Sequence, residues 1–375
     1  MAGYWNKSDG YGLSCSLLAK ELLSKEWDIR PVWKDGKDSI QFSLPEVMSR
    51  KDLKPDSEVA LAFCMTPDLS MLPIPVKRLL LFFLWESTEY PATWGCLLNF
   101  VDAIVTPSTF CGEVARKAGA TCPIFVVGLP LGTSTFPPPP KERTIDGEFK
   151  ILFVSSAYER KGWDLAVVAF EKAFPNGGAH LHMHIPNLGS PHWIRDKCKE
   201  NQNISFSCMY LPSHRILELY HRHHCLLHPA RGEGFARTVA EAMLTELPVI
   251  APPETGMKDF VSDKTAFPVK TSRWRPCNHP FYTTGMWAEP DMDSIVEGLH
   301  WTRDNYCESK VRAKQGRNLI LEKYGDGACV QRVEYLLQNA HRLGVDPSIV
   351  HDYEKSFGGD GVTTVEDTVG EYFDE

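Results

Sequence analysis

The chain has 375 residues, 43% of them hydrophobic and 11% aromatic, enough for two domains with separate cores and inconsistent with a wholly disordered protein. Its formal net charge of −8 is concentrated at the C-terminal end, where residues 352–375 hold eight acids against one lysine; the body is close to neutral and offers no basic footprint for nucleic acid. The longest apolar run, "RLLLFFLWE" at 78–86, is far short of the roughly 20 residues that span a bilayer, and "MAGYWNKSDG" lacks the apolar core of a signal peptide. The expectation is an unexported, cytoplasmic protein with no transmembrane segment, for which peripheral membrane contact stays open. Eleven cysteines without a C-x-x-C pair read as reduced core thiols.

Only "MAGYW" precedes the glycine-containing "NKSDGYG", so the first strand is expected to be very short or lost. Gly10 and Gly12 then stand just ahead of a helix, "SCSLLAKELLSK" at 14–25, where orphan N–H groups and the positive end of the dipole can hold a phosphate. An ordinary tight turn is the competing reading. Apolar runs at 57–65, 76–85, 101–108 and 122–132 read as buried strands, and "STFCGEVARKAG" at 108–119 as a helix closed by Gly119. Strand–helix alternation implies a parallel sheet covered on both faces. In "FPPPPKERTIDGE" at 136–148, four consecutive prolines can join neither a helix nor a central strand, which marks a linker.

The alternation restarts with strand 149–156 and helix 163–174. It continues through strands 179–185 and 204–211, helix 213–224, strand 225–230, a helix starting near Ala236, and strand 247–253. The expected fold is therefore α/β, with two doubly wound Rossmann-like domains facing a central cleft where ligands bind. Residues 1–136 form the N-terminal domain, 137–148 the Pro-rich linker and 149–335 the C-terminal domain. Residues 336–351 form a separate C-terminal segment, and the Gly-, Thr- and acid-rich tail at 352–375 is expected to be poorly ordered.

Two segments of the second domain carry candidate chemistry. "SSAYERKGWDL" leaves a strand at Ser155 and brings Arg160 and Lys161 into the loop, suited to a diphosphate; two solvated loop cations are the competing reading. "HPARGEGFARTVAEAML" sets Glu233 between glycines ahead of a helix and Glu241 in its second turn. Amides near Arg237 to Val239 would be first-turn phosphate donors, with the carboxylates accepting from hydroxyls on either side, the shape of a sugar–diphosphate–ribose. His224, Cys225 and His228 have a spacing that suggests a metal, but a helix ends near His224 and the shared face is lost; no metal is expected. Asp291 and Asp293 form an Asp-x-Asp that reads more simply as a helix N-cap.

"ILFVSSAYERKGWDLAVVAFEKAF" followed by "LLHPARGEGFARTVAEAMLTELPVIAPPETGMKDFV" resembles the donor domain of glycosyltransferase family 4, the retaining nucleotide-sugar transferases of GT-B fold. "VDAIVTPSTFCGEVARKAGA" and "VVGLPLGTSTFPP" are similar to the end of the same family's N-terminal domain. The resemblance implies an acceptor-side domain, then a nucleotide-sugar domain, with a C-terminal helix crossing back. By resemblance Glu233 holds sugar hydroxyls, Glu241 the ribose and Lys161 the diphosphate; Gly10, Gly12, Gly234, Phe235, Thr238 and Val239 line the donor, and the backbone near Tyr210 and Leu211 reads the base. The family commonly has Gly-Arg after the first donor-domain strand, where this chain has Ser155 and Ser156, with Arg160 or Arg231 as the candidate substitutes. "LWESTEYPATW" resembles a subset with a Trp-Glu element and puts Glu86 and Thr88 on the acceptor side. The implied activity is metal-independent, retaining hexosyl transfer from a nucleoside-diphosphate sugar to a saccharide or lipid-linked acceptor, with no cofactor. Two alternatives are a transferase acting on a hydroxylated base in DNA, a nucleobase acceptor, and a nucleotide-sugar binding protein without turnover.

Overall fold

The computed structural model describes residues 2–3, 10–29, 32–33, 59–63, 76–186 and 192–358; the acidic tail from 359 onward lies outside them. Two compact units emerge: Met1–Leu131 with Cys277–Gly285 and Lys323–Glu375, and Gly132–Pro276 with Met286–Glu322.

In the first unit the opening strand is present and short. Ala2–Gly3 (β1) pairs in parallel with both Val32–Trp33 (β2) and Val59–Phe63 (β3). The helix after β1 spans Gly10–Ser24 (α1), so Gly10 and Gly12 form its first turn and do not precede it. First-turn N–H groups have no carbonyl four residues back, and the glycines' helix cost of about 1 kcal/mol each is offset by the buried stripe Cys15, Leu18, Ala19 and Leu22. Arg78–Phe82 (β4), the short helix Ala92–Gly95 (α2), Ala103–Thr106 (β5), the helix Thr109–Lys117 (α3) and Ile124–Val126 (β6) follow. The sheet order is β2-β1-β3-β4-β5-β6, all parallel. Ser108 caps α3 by accepting from the Cys111 N–H at 3.3 Å, and Gly119, just past its end, takes φ 95° as its place in the sequence suggests.

The second unit opens with the proline-rich segment seated on it: Arg143 donates to the carbonyls of Glu246 at 2.7 Å and Tyr220 at 3.2 Å. Its strands and helices are Phe149–Val154 (β7), Trp163–Ala173 (α4), Ala179–His184 (β8), His192–Glu200 (α5), Ile204–Ser207 (β9), Ser213–Arg222 (α6), Cys225–Leu227 (β10), Arg237–Leu244 (α7), Val249–Ala251 (β11) and Phe267–Pro268 (β12). The sheet runs β12-β11-β10-β7-β8-β9, all parallel, so strand order reverses between β7 and β10. In doubly wound folds ligands bind at the carboxyl edge beside that reversal. Helix α6 stops at Arg222, two residues earlier than its sequence pattern suggests, because His223 is already extended.

An antiparallel hairpin, Thr271–Pro276 (β13) and Met286–Pro290 (β14), was not anticipated from sequence. Helices Met292–Asp304 (α8), Tyr306–Tyr324 (α9), Asp326–Gln338 (α10) and Ser348–Phe357 (α11) complete the chain. The last two belong to the first unit, where the Tyr353 hydroxyl donates to the Val126 carbonyl at 2.8 Å. Residues 352–357, expected to be unordered, are therefore helical: Tyr353 and Phe357 pack with Tyr335, an anchoring that the acidic composition conceals. No helix among the described residues is long and apolar enough to cross a membrane.

Candidate functional site

Lys161 and Glu233 leave neighbouring strands at the reversal point, Lys161 in the loop after β7 and Glu233 in the loop after β10. Gly162 makes their approach feasible. It ends a short 3-10 turn at φ 71°, and a Cβ there would meet the Pro229 carbonyl oxygen at 1.9 Å. The Lys161 ammonium lies 2.7 Å from each Glu233 oxygen. Arg160, buried, donates to the Gly232 carbonyl and stands 3.6 Å from Glu233 Oε2. His228 Nε2 reaches Glu233 Oε1 at 3.0 Å. The backbone of Glu233 is pinned as well: its N–H donates to Thr255 Oγ1 at 3.0 Å and its carbonyl accepts from Gly256 at 2.8 Å. Burial pushes the Glu233 carboxyl up, but the Lys161 ammonium, the His228 hydrogen bond and the Arg160 guanidinium outweigh it and hold the group well below the usual carboxylate range.

Glu241, one turn into α7, is also buried. Arg237 Nε donates to its Oε1 at 2.7 Å and the Tyr220 hydroxyl to its Oε2 at 3.0 Å. Burial raises its pKa against the pull of Arg237 and Tyr220. The two glutamates thus sit in opposite electrostatic settings, Glu233 firmly ionised and Glu241 more readily protonated. Helix α7 begins after Ala236, which takes φ 65°. The Val239 amide, expected to face a phosphate, instead donates to the Ala236 carbonyl three residues back at 3.0 Å, because the first turn tightens; Arg237 and Thr238 supply the other two first-turn amides.

Arg231 is not a substitute for the missing diphosphate arginine. All five of its N–H donors are spent inside the unit: Nε and Nη2 on Glu289 at 2.7 and 3.0 Å, Nη1 and Nη2 on Asp164 at 2.8 and 2.6 Å, and Nη1 also on the Glu159 carbonyl. Phe235 turns inward against Phe260 at 5.3 Å and can offer a ligand only its backbone. Tyr210 is half exposed in the turn after β9, and Leu211 follows it. His224 takes an N–H from Lys150 at 2.9 Å, apart from His228, and Asp291 caps α8 by accepting from Ser294 at 2.8 Å. Sequence reasoning weighed His228 only as a metal ligand; its position five residues before Glu233, at a strand exit, was the available signal.

In the first unit Glu86 and Thr88 lie in the loop after β4. The Tyr282 hydroxyl donates to Glu86, Ser87 Oγ to the Thr284 carbonyl at 3.3 Å, and Trp85 packs among Tyr90, Phe281 and Tyr282. Thr88 is buried.

Residues 148–273 match the family model described as Glycosyl transferases group 1, a stretch that includes Lys161, Glu233 and Glu241. No curated protein matches the chain by sequence. Among solved structures, sucrose-phosphate synthase from Thermosynechococcus elongatus aligns with a TM-score of 0.69 at 13% identity, over 89% of this chain and 94% of that one. HepE of Anabaena, in complex with UDP and glucose, aligns at 0.64 and 12% identity, over 90% and 98%. TarM of S. aureus, in complex with UDP, aligns at 0.57 and 13% identity, over 74% of this chain; the chain spans only 55% of TarM's length. At these identities the likeness establishes architecture: an α/β fold of parallel sheets in two Rossmann-like domains, that of the GT-B glycosyltransferases.

Proposed function

We propose that the chain is a retaining, metal-independent glycosyltransferase of the family 4 type, moving a hexosyl group from a nucleoside-diphosphate sugar to a hydroxyl of a saccharide or lipid-linked acceptor. The observation that carries this reading is the buried Lys161–Glu233 pair, at 2.7 Å, at the strand-order reversal of the second sheet. Its place within the segment that matches Glycosyl transferases group 1 supports it.

Lys161 stands in the loop at the carboxyl end of β7, beside the strand-order reversal, where its compact positive charge is suited to a diphosphate oxygen. As the glycosidic C–O bond breaks, negative charge grows on that oxygen; Lys161 and the first-turn amides of α7 stabilise it. Glu233, fixed through both its side chain and its backbone, accepts hydroxyls of the transferred sugar. Each oxygen of Glu241 keeps a lone pair beyond its Arg237 or Tyr220 bond for a ribose hydroxyl. Glu86 and Thr88 serve the acceptor in the first unit, and the backbone at Tyr210 and Leu211 the base.

The test is a panel of UDP-, GDP- and ADP-sugars, UDP-glucose first because the HepE and TarM structures hold UDP. Calorimetry reads binding, and release of nucleoside diphosphate in EDTA reads turnover. Binding of at least one donor with metal-insensitive turnover is expected. Failure to bind any donor overturns the proposal, and activity lost in EDTA and restored by manganese overturns its metal-independent part.

A further inference from the structure

One face of the second sheet carries a side-chain ladder that the proposed reaction does not use. His180, His182 and His184 alternate with Leu181 and Met183 along β8, so the apolar pair enters the core and the imidazoles share the opposite face. β9 runs parallel to β8 at the edge of the sheet, and its Ser205 and Ser207 are the register partners of His182 and His184. The hydroxyls bridge the rings in series. His180 Nε2 lies 2.7 Å from Ser205 Oγ, which lies 2.9 Å from His182 Nδ1; His182 Nε2 lies 3.1 Å from Ser207 Oγ, which lies 2.8 Å from His184 Nδ1.

A neutral imidazole has one N–H and one lone pair, and a hydroxyl has one proton, so all four bonds form only if the protons run in a single direction. The buried end sets that direction. His184 is 1% exposed, and its Nε2 has no partner among the described residues. An unpaired lone pair costs less than an unpaired N–H, so Nδ1 carries the proton. His184 Nδ1–H then donates to Ser207, Ser207 to His182 Nε2, His182 Nδ1–H to Ser205, and Ser205 to His180 Nε2. An imidazolium in the series sets an N–H against a hydroxyl that already donates, and at His184 it buries a donor with no acceptor. Among the described residues no compensating negative charge acts on the ladder: the charged or titratable groups that act on it and on His223, whose ring stacks on His182 at 5.8 Å, are the imidazoles themselves, His224, and Lys150 of β7.

We propose that this ladder is an acid-sensitive clasp on the edge strand β9, closed while His182 and His184 are neutral and opened by their protonation. The turn from β9 into α6, residues 208–212, is then ordered at neutral pH and released in acid. That turn carries the exposed Met209 and Tyr210. Only in treating the turn as a nucleotide contact does the inference rest on the proposed function; the clasp itself does not.

The test is amide hydrogen exchange over residues 203–212 in the ligand-free full chain, corrected for the intrinsic pH dependence of exchange. Burial, with the like charge of His182, holds His184 at about 4 in the closed strand. In the open strand its imidazole titrates near 6.5, so opening gains about 15-fold between about pH 6.5 and 5 from His184 alone. Protection in β9 is expected to fall by that factor or more while β7 and β10 keep theirs. His182→Asn/His184→Asn should abolish the pH dependence, since amides do not titrate. Should that variant fail to fold, imidazole-nitrogen NMR of the native chain decides, with Nδ1–H tautomers expected at both residues at neutral pH. PH-independent β9 protection, an unaltered pH dependence in the variant, or Nε2–H tautomers would overturn the clasp. Failure to bind UDP at neutral pH would instead overturn the proposed function and leave the clasp standing.

Discussion

Removing Lys161 is expected to cost stability as well as turnover. Its ammonium holds both oxygens of a carboxylate whose side chain is only 5% exposed. Lys161→Met deletes the nearest cation and leaves Glu233 with Arg160 at 3.6 Å and His228 at 3.0 Å. Breaking a buried pair from one side costs about 3–5 kcal/mol because an uncompensated charge stays behind; the two remaining partners put this case at the lower end, about 3 kcal/mol. With a urea slope of about 2 kcal/mol/M, the unfolding midpoint falls by about 1.5 M. Lys161→Met/Glu233→Gln removes both charges, and glutamine keeps an acceptor for His228, so about 2 kcal/mol of stability should return while turnover does not. Urea unfolding of the wild type, both single variants and the double variant closes the cycle. A Lys161→Met protein as stable as the wild type, or a double variant no more stable than the single, would refute the view that Lys161 keeps Glu233 ionised. Activity of any Lys161 variant must accordingly be read per folded molecule.

Glu241→Ala is expected to weaken both free nucleoside diphosphate and intact donor, whereas Glu233→Ala should spare the free nucleotide, which lacks the transferred sugar's hydroxyls; equal losses of free nucleotide in the two variants, by calorimetry, would remove Glu233 from the sugar. Gly162→Ala should destabilise the second unit by more than about 3 kcal/mol and displace Lys161, since its φ is 71° and its methyl would lie 1.9 Å from the Pro229 carbonyl oxygen; a stable, fully active variant would contradict the close approach of these loops. Burial holds His223 at about 4, below the roughly 6.5 of an unfolded chain, so stability present above about pH 6.5 is lost as pH falls toward 4, about 3 kcal/mol in all. His223→Gln should lose correspondingly less on acidification, and urea midpoints that fall in parallel for the two proteins would disprove this.

The alternation of apolar runs with helical stripes made most of both sheets legible, because strands buried on two faces are continuously apolar: β3, β4 and β5 are almost wholly buried. The β13–β14 hairpin left no such trace, since in β13 a string of polar and charged residues pairs outside the two parallel sheets. Helix ends were missed by a few residues where glycines or extended histidines decide them locally, as at Gly10 and His223.

The site shows the same division between what pattern encodes and what only folding decides. Lys161, Glu233 and Glu241 became candidates through the resemblance of their segments to a family's donor domain, together with their places near a strand end or a helix start. Neither could say which arginine is engaged elsewhere. Arg231 and Arg160 look alike in sequence, yet Arg231 meets two carboxylates from distant segments, Asp164 and Glu289, which consume its donors, and Arg160 is buried against the Gly232 carbonyl and Glu233. With one guanidinium saturated and the other facing inward, the cation best placed for a diphosphate in this loop is Lys161, and the proposed transferase relies on an ammonium where its relatives by resemblance commonly use arginine. A compact ammonium binds as a point charge and lacks a guanidinium's bidentate fork. In the proposed transferase, orientation of the diphosphate would therefore fall to the first-turn amides of α7, which the tight turn at Ala236 positions.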